Sequence, residues 1–437
     1  MRTRSLLSGA IALVLSLPAF SADAAMFRGN PQHTGVYRAS AVSAPAKVKW
    51  KFHTGGMVIS SPALVGNIVY VGSTDGNLYG VDRDSGAQKW KFDAKSRVVS
   101  SPAVANGVVY FTAYDGNLYA VAAVSGQLKW KFQTGGERRF AATHLHGSQP
   151  VAETMPDPFD TFLSSPLVSD GAVFFGSGDG NVYSLNATSG VLNWKFKTGD
   201  VVHASPALAD GTLFIGSWDS YFYALDAATG VQKWRFKTEE DPDTHNQVGI
   251  QSSAAVADGI VFFGCRDSNF YAVDAATGEK KWSFNNKGSW VVGSPAVKGD
   301  KVYFATSDSA IFYSLDAKTG NPAFSLKFQG WPFFSSPAIA GNMLYLGSHV
   351  GKLMAIDLAA QKAAWTFETE ASKKNGPALT KPDGTPKYEV AFVTDFYDDM
   401  MVGVGKMMSV GAILSSPVVV DNVIYVGSAD GNLYALM

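Results

Sequence analysis

Ser-Pro pairs that end a short apolar run recur at Pro62, Pro102, Pro166, Pro206, Pro295, Pro337 and Pro417. An eighth copy, "IQSSAAV", carries Ala254 in place of the proline. Taken in order, the spacings are 40, 64, 40, 48, 41, 42 and 80 residues. A base period of about 40 residues with insertions restricts the chain to a propeller or a solenoid. Each copy holds four apolar runs split by turn residues. In the first these are "VISSPAL", "NIVYVGS", "NLYGVD" and "QKWKF", separated by Gly66-Asn67, Asp75-Gly76 and Ser85-Gly86. Such turns supply the positive φ angles that tight antiparallel hairpins need. Four-stranded units of this size form propeller blades, and 44 glycines in 437 residues suit a turn-rich β protein.

The shortened last copy selects between the two architectures. It stops at Met437 after three strands, and a strand of the missing kind, "VKWKF" from Val48 to Phe52, stands near the other end of the chain. If the two join, the open sheet edge is paired and the ring closes. A solenoid would instead need a cap at each end. The sequence therefore predicts an all-β fold: an eight-bladed β-propeller of four-stranded antiparallel blades, closed by an N-terminal strand that completes the last blade. The final strand of each blade carries Trp50, Trp90, Trp130, Trp194, Trp234, Trp282 or Trp365, with Phe324 in the remaining place. These rings read as structural, each packed over a neighbouring blade's turn.

The flanks and totals narrow the class further. Residues 1–24 read as a secretory signal, with Arg2 and Arg4 ahead of an apolar stretch and a small-residue cleavage site near Ala24. Residues 25–47 form a lead-in segment and 48–437 the propeller. No cysteine near the cleavage site offers a lipid anchor and no later stretch has the length of a membrane span, so a soluble periplasmic or secreted protein is expected. With 36 basic against 37 acidic side chains there is no electrostatic footprint for nucleic acid or an anionic membrane. Cys265 is the only cysteine, which excludes an intrachain disulfide. It stands where other copies carry Ser, Ala or Thr and reads as a small buried filler.

Together "DGNLYAL", "TGVQKW", "TGEKKW" and the segment "MFRGNPQHTGVY" resemble the repeat and lead-in of the PQQ-like (pyrroloquinoline-quinone-type) β-propellers. The resemblance covers nearly all of the chain after the signal and implies the eight-bladed ring. It also implies one of two functional types, quinoprotein dehydrogenases or non-enzymatic scaffolds of the BamB type in outer-membrane protein assembly. The dehydrogenases hold the quinone under a Trp, often against a disulfide between adjacent cysteines, with calcium bound by Glu, Asn and Asp and a separate Asp as base. A single cysteine excludes the adjacent pair here, there is no "CxxCH" haem motif, and no motif transfers the calcium ligands or the base to numbered positions.

Repeats report the scaffold, so function is sought where they break. Insertions at 133–160, 237–249 and 368–411 all join an outer strand to the next inner strand, which places them at one mouth of the ring. In the first, His144 and His146 with Glu153, Asp157 and Asp160 suit a divalent ion, or else form a solvated loop. The second, with Glu239, Glu240, Asp241, Asp243 and His245, reads as an exposed acidic turn. The third holds Met400, Met401, Met407 and Met408, as an adaptable contact surface or as cover for the core. Three residues before the Ser-Pro proline, only His203 and Gln251 are polar, and they occupy adjacent blades. The same two blades replace the Asp-Gly turn with "WDS" (Trp218) and "RDS" (Arg266), and Trp290 and Trp331 open the next two inner strands. His203, Trp218, Gln251, Arg266, Trp290 and Trp331 thus form a candidate pocket, against the alternative of drift between repeats.

Two functions follow. One is a non-catalytic exported scaffold that binds a protein partner in the cell envelope and needs no cofactor. The other is a PQQ- and calcium-dependent dehydrogenase, or a quinone-binding sensor, acting on alcohols or sugars through the candidate pocket.

Overall fold

A computed structural model describes residues 23–240, 249–329 and 332–437. The expected signal up to residue 22, the acidic centre of the second insertion with His245, and Trp331 lie outside the described residues. Eight four-stranded antiparallel blades form the ring. In the first blade the strands are Ala63–Val65, Ile68–Gly72, Asn77–Asp82 and Gln88–Asp93, from hub to rim. The middle strands are buried on both faces and read as continuous apolar runs, whereas Lys89, Lys91 and their equivalents turn the rim strand's other side to water.

The ring closes as the shortened copy implies. Val48–His53 pairs antiparallel with Asn432–Leu436, the third strand of the eighth blade. Its register shift beside Trp50 matches the shift beside Trp90 in the first blade. Main-chain groups of Lys47 and Met437 exchange hydrogen bonds of 2.8 and 2.9 Å. The grafted strand is therefore equivalent to a continuous one.

Adjacent blades are fastened at three radii, and each fastening explains a repeated residue. At the hub, the second serine of each "SSP" forms a belt. The Ser61 amide donates to the Ser101 hydroxyl at 3.1 Å, Ser101 to Ser165 at 2.9 Å, and Ser416 back to Ser61 at 2.8 Å. On the insertion-bearing face, the Asp-Gly turn holds its own blade and its neighbour. Asp75 accepts from the Tyr79 hydroxyl at 2.7 Å and from the Gly55 amide at 2.8 Å, and Asp219 does the same with Tyr223 and Gly199. At the rim, each tryptophan Nε1 donates to a carbonyl in the next blade's final turn, Trp50 to Arg83 at 2.9 Å and Trp234 to Ala275 at 3.0 Å. Gly86 sits in that turn at φ 74°, and a Cβ there would lie 2.8 Å from the Trp50 ring, so conformation and contact both demand glycine. Trp365 has no such turn to meet, because the last blade's third and fourth strands come from opposite ends of the chain. The Val42 carbonyl of the lead-in replaces it at 3.1 Å.

The lead-in closes the lower mouth. Carbonyls of Ala25, Pro31, Gln32, Thr34 and Gly35 accept from the inner-strand amides of Val104, Leu208, Val256, Val297 and Ile339, and Val36–Tyr37 adds a parallel strand to the seventh blade. Arg28 and His33 are buried beneath it.

The first and third insertions meet over the upper mouth. The Gln149 amide donates to the Asp395 carbonyl at 2.8 Å, its carbonyl accepts from the Tyr397 amide at 3.0 Å, and the Tyr397 hydroxyl donates to the Pro156 carbonyl at 2.7 Å. The third insertion folds as three helices, α1 (Glu370–Leu379), α2 (Tyr388–Ala391) and α3 (Tyr397–Ser409). Met400, Val404, Met407 and Met408 fall on one face of α3 at helical spacing and are buried. Met408 packs with Ile59 and Leu414 of the hub, so these methionines cover the core. No helix among the described residues is long and apolar enough to cross a membrane.

Candidate axial site beneath the cap

Five of the six candidate pocket residues converge at the upper mouth, and the first insertion reaches down to them. The Arg266 side chain is fully buried. Its guanidinium lies between the Trp218 and Trp290 rings, 4.4 and 4.2 Å from their centroids, a double cation–π contact. In the plane of that sandwich, Arg266 Nη1 donates to Asp157 Oδ2 at 2.7 Å, while Nε and Nη2 donate to Gln251 Oε1 at 3.1 and 2.8 Å. Gln251 Nε2 in turn donates to the Phe159 carbonyl at 3.1 Å. Trp218 stacks on Phe140 of the insertion, with centroids 4.4 Å apart and planes 9° from parallel.

His203 anchors the same insertion one blade away. Its Nδ1 lies 2.7 Å from Asp160 Oδ1 and its Nε2 2.8 Å from Glu137 Oε1. Two carboxylates facing two ring nitrogens call for both nitrogens to donate, and hence for the imidazolium. Burial alone would depress the His203 pKa, but Asp160 and Glu137 outweigh it and push the value up to about 10. Burial likewise opposes ionisation of Asp157, yet Arg266, with help from His146, holds that carboxyl well below the usual range. The second Asp160 oxygen accepts from the Phe140 amide at 2.8 Å, so the acceptor capacity of this carboxylate is shared between hub and insertion.

These contacts correct the solvated-loop reading of the first insertion. His144 and Glu153 are exposed, but Asp157 and Asp160 are fully buried and His146 largely so, its Nε2 3.4 Å from Asp157. A buried guanidinium and a buried imidazolium at the hub need counter-charge, and the insertion supplies it. That demand was the available signal for Asp157, Asp160 and Glu137. Nothing in the loop's own spacing marked them. Among the described residues no three His, Cys, Asp or Glu side chains converge as metal ligands.

Below the insertion the axis holds a cavity of about 40 Å³, lined by the serine belt with His203, Gln251, Phe27 and Phe162. Sites for cofactors and substrates usually span about 300–1,000 Å³. This one has room for a little water. Phe159 packs beside it against Val292 and Phe334, edge-on to Trp290 and Phe334 at 6.0 and 6.2 Å.

Comparison with known proteins agrees with this architecture. A family model described as outer membrane protein assembly factor BamB matches residues 38–155 and 141–367. Among solved structures, BamB from Moraxella catarrhalis superposes with a TM-score of 0.64 at 17% identity, covering 90% of this chain and 98% of that one. Quinohemoprotein alcohol dehydrogenase from Comamonas testosteroni gives 0.68 at 14% identity, covering 95% and 80%. A europium-containing methanol dehydrogenase gives 0.68 at 15%, covering 95% and 98%. At such identities the likeness extends to the fold alone. No curated protein matches the chain. The repeat, the closed ring and a family model that spans most of the sequence place this chain in the family of PQQ-like β-propellers represented by the assembly factor BamB.

Proposed function

We propose that the chain is a non-catalytic exported propeller that binds a protein partner in the cell envelope, in the manner of an outer-membrane assembly factor. One observation carries this reading. Asp157 and Asp160 of the protein's own first insertion take up Arg266 and His203 at the upper mouth, and the cavity on the axis measures about 40 Å³. A propeller filled on its axis offers its outer surface and loops, which is what a rigid scaffold uses.

The quinone alternative fits these residues poorly. A planar polycyclic quinone needs an aromatic face to lie on, and here Phe140 and the Arg266 guanidinium cover Trp218 while Arg266 covers Trp290. Calcium needs six to eight oxygen ligands, and the first insertion's Glu137, Asp157 and Asp160 are already committed to Arg266 and His203. No catalytic step is therefore derived through either group. Crosslinking in intact envelopes, followed by affinity capture and mass spectrometry, tests the scaffold reading. A recurrent partner crosslinked at near-stoichiometric yield is expected, and the absence of any reproducible partner contradicts it.

A further inference from the structure

The outer surface of the cap differs from the rest of the molecule. Val151, Val390, Val393, Phe396 and Val402 are five of the thirteen large apolar side chains exposed among the described residues, and all five lie on the two insertions over the upper mouth. Phe396 is 57% exposed and Val393 67%. By contrast Val48, Val124, Leu128, Val191, Leu192 and Val231 are spread over the rim strands and lower turns of the eighth, second, third and fourth blades. Isolated exposed valines need no explanation, whereas a concentrated apolar surface on a water-facing cap marks an interface.

Charge around these side chains is weighted toward acid, with Lys387 and Lys406 at the two ends of the segment and Lys406 Nζ donating to the Val390 carbonyl at 2.8 Å. Between Tyr388 and Gly405 there are four carboxylates, Glu389, Asp395, Asp398 and Asp399, and no lysine or arginine. Glu389, Asp395 and Asp398 are exposed, beside Val390, Val393 and Phe396. The first insertion adds exposed Glu153 beside Val151, and the Gln149–Phe396 main-chain pairing joins the two insertions into one surface. The underlying frame is fixed from within by the buried pairs at Arg266 and His203.

Building on the scaffold reading, we infer that this cap is the docking surface, and that its occupant is a polypeptide segment with an apolar stretch flanked by lysine or arginine. Apolar side chains of the partner would cover Val393 and Phe396, and its cations would meet the carboxylates around them. Like charge across such a rim is strongly disfavoured, so the acidic border selects the sign of the partner. The same border disfavours an anionic lipid surface.

The test uses the full chain and two labelled synthetic peptides that share one apolar stretch, flanked by three lysines at each end in one and three glutamates in the other. Fluorescence anisotropy should show the lysine peptide binding at least tenfold more tightly than the glutamate peptide, with affinity falling as salt rises. Val393→Ser with Phe396→Ser should weaken it at least tenfold, and Asp395→Asn with Asp398→Asn should reduce the preference between peptides. Both are exposed-site changes, and an unchanged melting temperature verifies the fold. Equal binding of the two peptides, or binding unaffected by the substitutions, overturns the inference. So does self-association abolished by the serine pair, which would make a second copy the occupant, or adsorption to anionic vesicles abolished by it. If an envelope partner is captured equally by wild type and the serine pair, the scaffold reading stands and this surface is the wrong one. If no partner is captured at all, the scaffold reading itself fails.

Discussion

Replacement of Arg266 by methionine is expected to lower folding stability by about 3–5 kcal/mol, because it leaves the fully buried Asp157 carboxylate without its cation. Methionine fills much of the slot between Trp218 and Trp290, so the loss measures mainly the stranded charge rather than a void. It also frees Gln251 Oε1, which accepts two of the arginine's hydrogen bonds. Adding Asp157→Asn should recover at least half of the loss, since a neutral amide keeps the acceptor for the Phe159 amide without the charge. Urea denaturation of the wild type, the single variant and the double variant provides the comparison. A loss below about 1 kcal/mol for Arg266→Met would mean that water reaches Asp157 and that the insertion is not anchored as described.

The second large effect is acid destabilisation that begins unusually early. Burial, reinforced by the neighbouring Arg28, depresses the His33 pKa to about 3, and burial depresses that of His349 to about 4. His349 donates its Nδ1 proton to the Pro332 carbonyl at 2.8 Å, while its Nε2 has no acceptor facing it among the described residues. Both rings are therefore neutral in the fold, whereas the unfolded chain protonates them near pH 6.5. Their stabilisation is complete above about pH 6.5 and is lost as pH falls toward 4 and 3. Two protons taken up only by the unfolded state give a slope of roughly 2.7 kcal/mol per pH unit. His203 acts in the opposite sense, its contribution being complete below about 6.5 and lost as pH rises through about 10. Stability should thus peak near neutrality. Between pH 6.5 and 5, before free carboxylates titrate, the urea midpoint should fall steeply, and His349→Gln should reduce the slope by about half. A midpoint that stays flat over that window contradicts the neutral buried histidines.

How much of this could be read beforehand depends on whether a residue sits inside the repeat. The register of the repeat places Trp218, Arg266, His203, Gln251 and Trp290 on neighbouring blades at one mouth, because a propeller converts sequence offset directly into position. It also identifies the outer strand at Val48 as the partner of the last copy. Serines of the "SSP" motif were visible only as markers; their role as a hydrogen-bonded belt depends on the distance between inner strands, which is a property of the closed ring. The insertions have no repeat to set their path. Asp157 and Asp160 look like any polar loop in sequence, and only the unpaired demand of Arg266 and His203 brings them inside. The helices of the third insertion follow the same rule, since α3 carries its own 3.6-residue pattern at Met400, Val404 and Met407 but belongs to no blade.

The central claim is that the axis of this propeller is occupied by its own chain. Calorimetric titration of the intact protein with PQQ, with and without calcium, tests it most directly. The account predicts no binding heat above dilution in either condition, with the melting temperature unchanged by the additions. Saturable one-to-one binding, accompanied by a rise in melting temperature, would contradict it.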